Sequence, residues 1–335
     1  MSRLALLNAL LPLLLCAPAG AGPNAYVVNE GSGSVSMIDT QTDEVSATIK
    51  VGERPRGLAV STDAERLYVS HEDGTLVERE IYAKAESGGA KLGRLPRSID
   101  LSPDGRLLAA TSQGDAEIVL LDLATMRVAK KIPIRGGKPP ANAVFSPDGR
   151  WIYASAEESP EIQVIDVEQG AVTNSISVGP RSRGIAFLRD GSRAYVAAEQ
   201  DSEVVVIDVA RQAVVARVKT AGAPFGVTAH PDGKRVFVSV SSAGTVQVLD
   251  TGANRIVAEF DAGNGPSSMA LTPDGDKLYV TCGPANQVSV IDTSTYKRLA
   301  QVSVGESPAT IVVRESNPPA DGGDFPPRRG RPKAS

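Results

Sequence analysis

An all-β fold, a seven-bladed β-propeller of four-stranded blades, is what this sequence predicts, on three observations. An acidic residue closing an apolar run recurs at Asp39, Glu80, Asp122, Asp166, Asp208, Asp250 and Asp292, at spacings of 41 to 44 residues. Each spacing holds four short apolar runs separated by polar turns, which is the pattern of one blade per repeat. The turn Pro-Asp-Gly recurs between the same two runs, at Pro103, Pro147, Pro231 and Pro273. Proline pre-sets the first turn angle, Asp bonds its own backbone, and Gly accepts a positive φ.

Residues 1–21 stand before the repeat. Arg3 is followed by a mostly apolar run over 4–16 that is too short to span a bilayer comfortably, and small residues come next. A secretory signal peptide cleaved after Ala19 or Ala21 is expected, with a periplasmic or secreted location and no transmembrane segment after cleavage. Leu15, ahead of Cys16, is not the small residue that a lipid-attachment site needs. With the leader removed, Cys282 is the remaining cysteine and no intrachain disulfide can form, so stability rests on packing and ring closure.

The propeller is expected over 22–315. Residues 25–29, 34–39 and 46–51 form three strands, and only then comes the first inner strand, at 56–61. Inner strands start at Arg56, Arg97, Ala141, Arg183, Phe225, Ser267 and Ala309. The repeat therefore opens with the outer three strands of one blade and ends on a lone inner strand. Pairing 309–313 with 25–29 closes the ring and removes its largest open edge. The second repeat is the irregular one: its fourth strand falls in AKAESGGAKLG, which predicts a loose outer edge. Residues 316–335, rich in Pro and Gly, are expected to be disordered, and the run RRGRPK reads as a solvated tail.

Aromatic residues are 4% of the chain, so Val, Ile, Leu and Ala must build the core. Net charge is −4, which gives no global attraction to nucleic acid. No haem-attachment, phosphate-loop, zinc-protease or nucleophile-elbow motif is present.

The recurring Tyr-Val-x-x, Val-x-Val-Ile-Asp, Val-Gly-x-x-Pro and Ser-Pro-Asp-Gly segments resemble the YVTN family of seven-bladed propellers over residues 25–313. Two stretches, ERPRGLAVS at 53–61 and GPANQVSVID at 283–292, are similar to the branch linked with pyrroloquinoline-quinone (PQQ)-dependent alcohol catabolism. That resemblance implies a periplasmic accessory protein, associated with PQQ chemistry but holding no cofactor of its own, rather than the dehydrogenase itself.

Candidate site residues come from the loops that lead into the inner strands. Arg56, Arg97 and Arg183 share one aligned position, and Arg54, Arg94 and Arg181 lie close by in sequence. Guanidinium forks match carboxylates and phosphates, so this half-ring at the channel mouth is a candidate site for a small anionic ligand. A second reading is open at this point: Glu30, Glu72, Glu157 and Glu199 belong to the same end and can pair with the arginines to fix adjacent blades. Asn29, His71 and Cys282 share an aligned position, but two ligating side chains and an amide make a poor metal site, and none is assigned. His230 stands where other repeats have Ser102 and Ser146, which assigns it to turn capping. The repeated Asp is assigned to the turn after the third strand, because a residue repeated in every blade serves the repeated fold. The expectation is a non-catalytic binding or accessory propeller, for an anionic small molecule or a periplasmic partner protein. The alternatives are a lactonase-like hydrolase or isomerase with a loop-built site, and a purely structural repeat protein.

Overall fold

The computed structural model describes residues 22–82 and 86–315. The leader expected over 1–21 and the tail expected over 316–335 lie outside the described residues. Twenty-eight strands, β1 to β28 in chain order, form seven four-stranded antiparallel sheets. Six blades are continuous in sequence. The seventh has the order β28-β1-β2-β3, built from Pro308–Arg314, Asn24–Asn29, Ser34–Asp39 and Glu44–Lys50. Tyr26 lies opposite Val312, so the two ends of the propeller are joined by a main-chain ladder, as the repeat phase requires.

The inner strands are β4 (Pro55–Val60), β8 (Pro96–Leu101), β12 (Pro140–Phe145), β16 (Ser182–Phe187), β20 (Pro224–Ala229), β24 (Pro266–Leu271) and β28. Each touches the next, and β28 closes on β4. The core lies between blades rather than within one. Tyr26, Tyr68, Tyr153, Tyr195, Phe237 and Tyr279 occupy one position of the second strands and are buried against neighbouring blades. Tyr153 meets Phe187 edge-to-face at 5.0 Å. Burying each such ring contributes about 1.5–3 kcal/mol. A scarce aromatic content is thus spent on the blade interfaces.

The turns follow the chemistry read from the sequence. Carboxylates of Asp122, Asp166, Asp208 and Asp250 accept the backbone N–H three residues on, at 2.7–2.9 Å. Hydrogen bonds from Ser294 and from the Thr295 backbone hold the Asp292 carboxyl down to about 2. His230 Nδ1 accepts the Asp232 N–H at 3.1 Å, which is the capping task assigned to it. His71 is turned to the Val51 carbonyl and Cys282 to the Ala262 carbonyl, each within its own neighbourhood.

The second blade keeps its fourth strand, Glu86–Lys91, paired along Thr75–Glu80. Gly89 faces fixed backbone across this pairing, whereas Gly88 faces the movable end of a side chain. A Cβ on Gly88 would sit 2.7 Å from the Glu78 carboxylate, and one on Gly89 would sit 2.8 Å from the Leu76 carbonyl oxygen.

Candidate functional site: the axial channel and its mouth

Each inner strand enters the ring with a register shift near its start, for example between Pro96 and Ile99. A bulge leaves backbone N–H groups without ladder partners. Hydroxyls from the second strands take them: Ser70 accepts from Gly57 at 2.9 Å, Thr111 from Arg97 and Ser98 at 3.2 and 2.9 Å, and Ser239 from Gly226 at 2.8 Å. The bulge also resets the side-chain alternation. Arg97 and Asp100, three residues apart, would face opposite ways on a regular strand. Here both line the same axial cavity, which has a volume of about 740 Å³.

At the mouth the six predicted arginines divide into two groups. Arg56, Arg97 and Arg183 line the channel; Arg54, Arg94 and Arg181 do not. Arg56 bonds Glu30 at 2.8 Å and also Glu72. Burial works against the Arg56 charge, but Glu72 and Glu30 outweigh it and hold its pKa above the ordinary value. Arg183 bonds Glu199 at 2.5 Å and Glu157, and lies over the Phe225 ring at 5.4 Å. Glu157 Oε1 is shared, bonding Arg97 as well. Arg54 and Arg181 brace Glu72 and Glu199 from outside the channel, at 3.0 and 3.5 Å.

The placing of Arg94 at the mouth needs correction. Its side chain turns away to Asp115, with Nε to Oδ1 at 2.7 Å, and holds that carboxyl down to about 2. The reason is register. Counting back from Pro96, Leu95 occupies the place of Arg54 before Pro55; Leu95 and Arg54 share the left-handed backbone, with φ of 51° and 49°. Leu95, not Arg94, lines the channel.

The pairing expected of Glu30, Glu72, Glu157 and Glu199 is therefore present at Arg56, Arg97 and Arg183. In this network five guanidinium charges, those of Arg54, Arg56, Arg97, Arg181 and Arg183, meet four carboxylates, a surplus of one among the described residues. Arg97 is the least occupied of the three. Its recorded side-chain partner among the described residues is the shared Glu157, and its side chain is 40% exposed.

Deeper in the wall lie two charged residues that the sequence reading passed over. Asp100 is set between Ala59 on one side and Val144 on the other, and Arg314 lies toward the far end. Burial pushes the Asp100 carboxyl up to about 6, against the backbone N–H groups of Phe145, at 2.8 Å, and Leu101, and the more distant Arg314 charge. The signal was available. The six residues aligned with Asp100 are Ala59, Val144, Ala186, Thr228, Ala270 and Val312, all uncharged.

Comparison with known proteins fits the geometry. The profile of the YNCE-like beta-propeller family matches residues 73–255 and 226–319. The chain belongs to that family. No curated protein sequence matches it significantly. Among solved structures, this YNCE-like propeller is similar to a functionally unknown protein from Desulfotomaculum acetoxidans, at 19% identity and a TM-score of 0.77 over 88% of this chain and 99% of that one. It is similar to the Kuenenia stuttgartiensis hydrazine synthase, at 24% identity and a TM-score of 0.73 over 85% and 99%. A putative 6-phosphogluconolactonase from Bacteroides fragilis has 16% identity and a TM-score of 0.74 over 89% and 99%. At such identities the likeness is one of fold, and fold alone does not carry an activity.

Proposed function

We propose that this protein is an exported, non-catalytic binding propeller that takes a small carboxylate-bearing molecule into the mouth of its channel. The observation that carries the reading is Arg97. Because Glu157 is shared with Arg183, donors of the Arg97 guanidinium are left facing a cavity large enough for a small organic molecule. The other two arginines of the mouth lining, Arg56 and Arg183, each hold two carboxylates and act as braces.

The surplus of one positive charge favours a ligand with a single carboxylate. The YVTN-type resemblance suggests PQQ, whose several carboxylates fit this mouth less well. Periplasmic or secreted location rests on the leader pattern of residues 1–21. The rival lactonase-like reading draws on the cavity and on the raised Asp100 carboxyl, a feature common at catalytic sites.

Titration calorimetry of the exported chain with n-hexanoate tests the reading. Binding is expected, weakening as salt rises because the mouth field is screened over ~8 Å at physiological ionic strength. Arg97→Gln is expected to abolish it while leaving the melting temperature near that of the parent. Absence of any carboxylate binding overturns the proposal, and turnover of a lactone establishes the enzyme reading instead. PQQ, titrated in parallel, tests the quinone candidate directly.

A further inference from the structure

Asp100 has no part in the carboxylate-binding reading. Among the described residues it is the one carboxylate in the channel wall below the mouth, and none of its aligned counterparts carries a charge. Its backbone partners are the N–H groups of Phe145 and Leu101. The charged groups that share the cavity with it are Arg314 toward the far end, and Arg56, Arg97, Arg183, Glu30 and Glu72 at the mouth. Every mouth arginine is already bonded to an acid. Arg314 makes no ion pair with Asp100, and its Nε is buried without a partner. An ionised carboxylate between Ala59 and Val144 therefore has no bonded counter-ion, only the more distant charge of Arg314.

A metal ion is a poor candidate for that role. Hard cations take six or more oxygen ligands, and no cluster of three metal-ligating side chains occurs among the described residues. An ammonium group needs only one carboxylate and tolerates apolar neighbours along its carbon chain. Arg97 and Asp100 lie on the same strand, with backbones no more than about 10 Å apart at 3.3 Å per residue, and both face the cavity because of the bulge.

We propose that the ligand of this channel is a zwitterion, an ω-amino carboxylate or a molecule of that chemical class, with its carboxylate at Arg97 and its ammonium at Asp100. This rests on the carboxylate-binding reading and extends it by naming the second recognition group. The positive charge of Arg314 sets the depth, since it repels a cation that passes Asp100.

The test is a titration series with γ-aminobutyrate, δ-aminovalerate and ε-aminocaproate, each against the n-alkanoate of equal length. At pH 7.5 at least one member is expected to bind about tenfold more tightly than its alkanoate, the worth of one charged hydrogen bond. That advantage should disappear in Asp100→Asn, with alkanoate affinity unchanged. It should also fade in the parent as pH falls below about 6, where the carboxyl takes up a proton. Alkanoate binding with no zwitterion advantage, or an advantage that survives Asp100→Asn, overturns this inference and leaves the simpler reading standing. No binding by either series overturns both. Loss of carboxylate-end affinity in Arg314→Gln but not in Arg97→Gln overturns the orientation, and with it the proposal.

Discussion

The mouth of the channel and its wall answer the problem of charge in opposite ways. At the mouth five arginines and four glutamates interlock, so that each arginine meets at least one carboxylate, and Glu157 serves two arginines at once. Three residues further along β8, Asp100 stands among uncharged neighbours with backbone N–H groups as its only close partners. The difference teaches which feature of a charged group points to a ligand. Number and proximity of arginines mark the mouth in sequence, yet most of that charge is consumed in holding blades together. A single carboxylate left without a bonded counter-charge is the rarer condition, and it is set where a bound molecule can reach it.

Opening the ring breaks this contrast most severely, since mouth and wall exist only while it is closed. Deleting 308–314 removes the strand that pairs β1 and touches both β24 and β4. The expected loss exceeds about 5 kcal/mol, comparable with the whole stability of many domains, and is read as failure to melt cooperatively. Deletion from residue 316 onward is the control and should change little.

Neutralising the wall should instead stabilise the protein. Asp100 has its carboxyl raised from the ordinary 3.8 to about 6. The folded state therefore holds the proton more tightly than the unfolded chain does. The contribution of this one group to stability is greatest below about pH 4, falls as pH rises to about 6, and is level above that. At about 1.4 kcal/mol per unit, discounted for water in the channel, the expected fall is about 1–2 kcal/mol. Urea denaturation between pH 4 and 7 should show this slope in the parent and a flattened one in Asp100→Asn. An unchanged slope would mean that Asp100 is as well solvated as the mouth.

Removing the bridge at the mouth should act in the other direction. Glu157→Gln leaves Arg97 and Arg183 facing each other with one fewer carboxylate between them. Both pairs are partly exposed, so a cost of about 1 kcal/mol is expected in thermal or urea denaturation. The smallest effect is expected from Arg94→Ala. Its contact with Asp115 is exposed and outside the channel, so stability should change by less than about 0.5 kcal/mol, and carboxylate binding measured by calorimetry should not change.

What could be read from the sequence follows the same division. Ring, blade count and closure were legible because the fold repeats itself: Asp166 and Asp208 perform one task 42 residues apart, and the repetition announces the task. The glutamate partners were legible too, since loops of one end must meet. Arg94 misled because proximity in sequence was taken for position, although Pro96 fixes Leu95 as the true counterpart of Arg54. Asp100 was overlooked because its meaning depends on what its neighbours lack. Ala59 and Val144 come from blades on either side, and only the bulge, a backbone irregularity with no residue signature of its own, turns Arg97 and Asp100 into one cavity.

The shared blade has a consequence in time. β1 leaves the ribosome first among the strands, and the strand that covers its inner edge leaves last. Until then Ala25, Val27 and Val28, fully enclosed in the finished ring, stay open along one side. Pairing elements so far apart in sequence is slow, because loop-closure entropy is lost before the contact is gained. The six continuous blades can each form from local segments, so the final event of folding is expected to be the docking of Pro308–Arg314, and a protease or chaperone meeting the chain before that event would find its amino-terminal strands exposed.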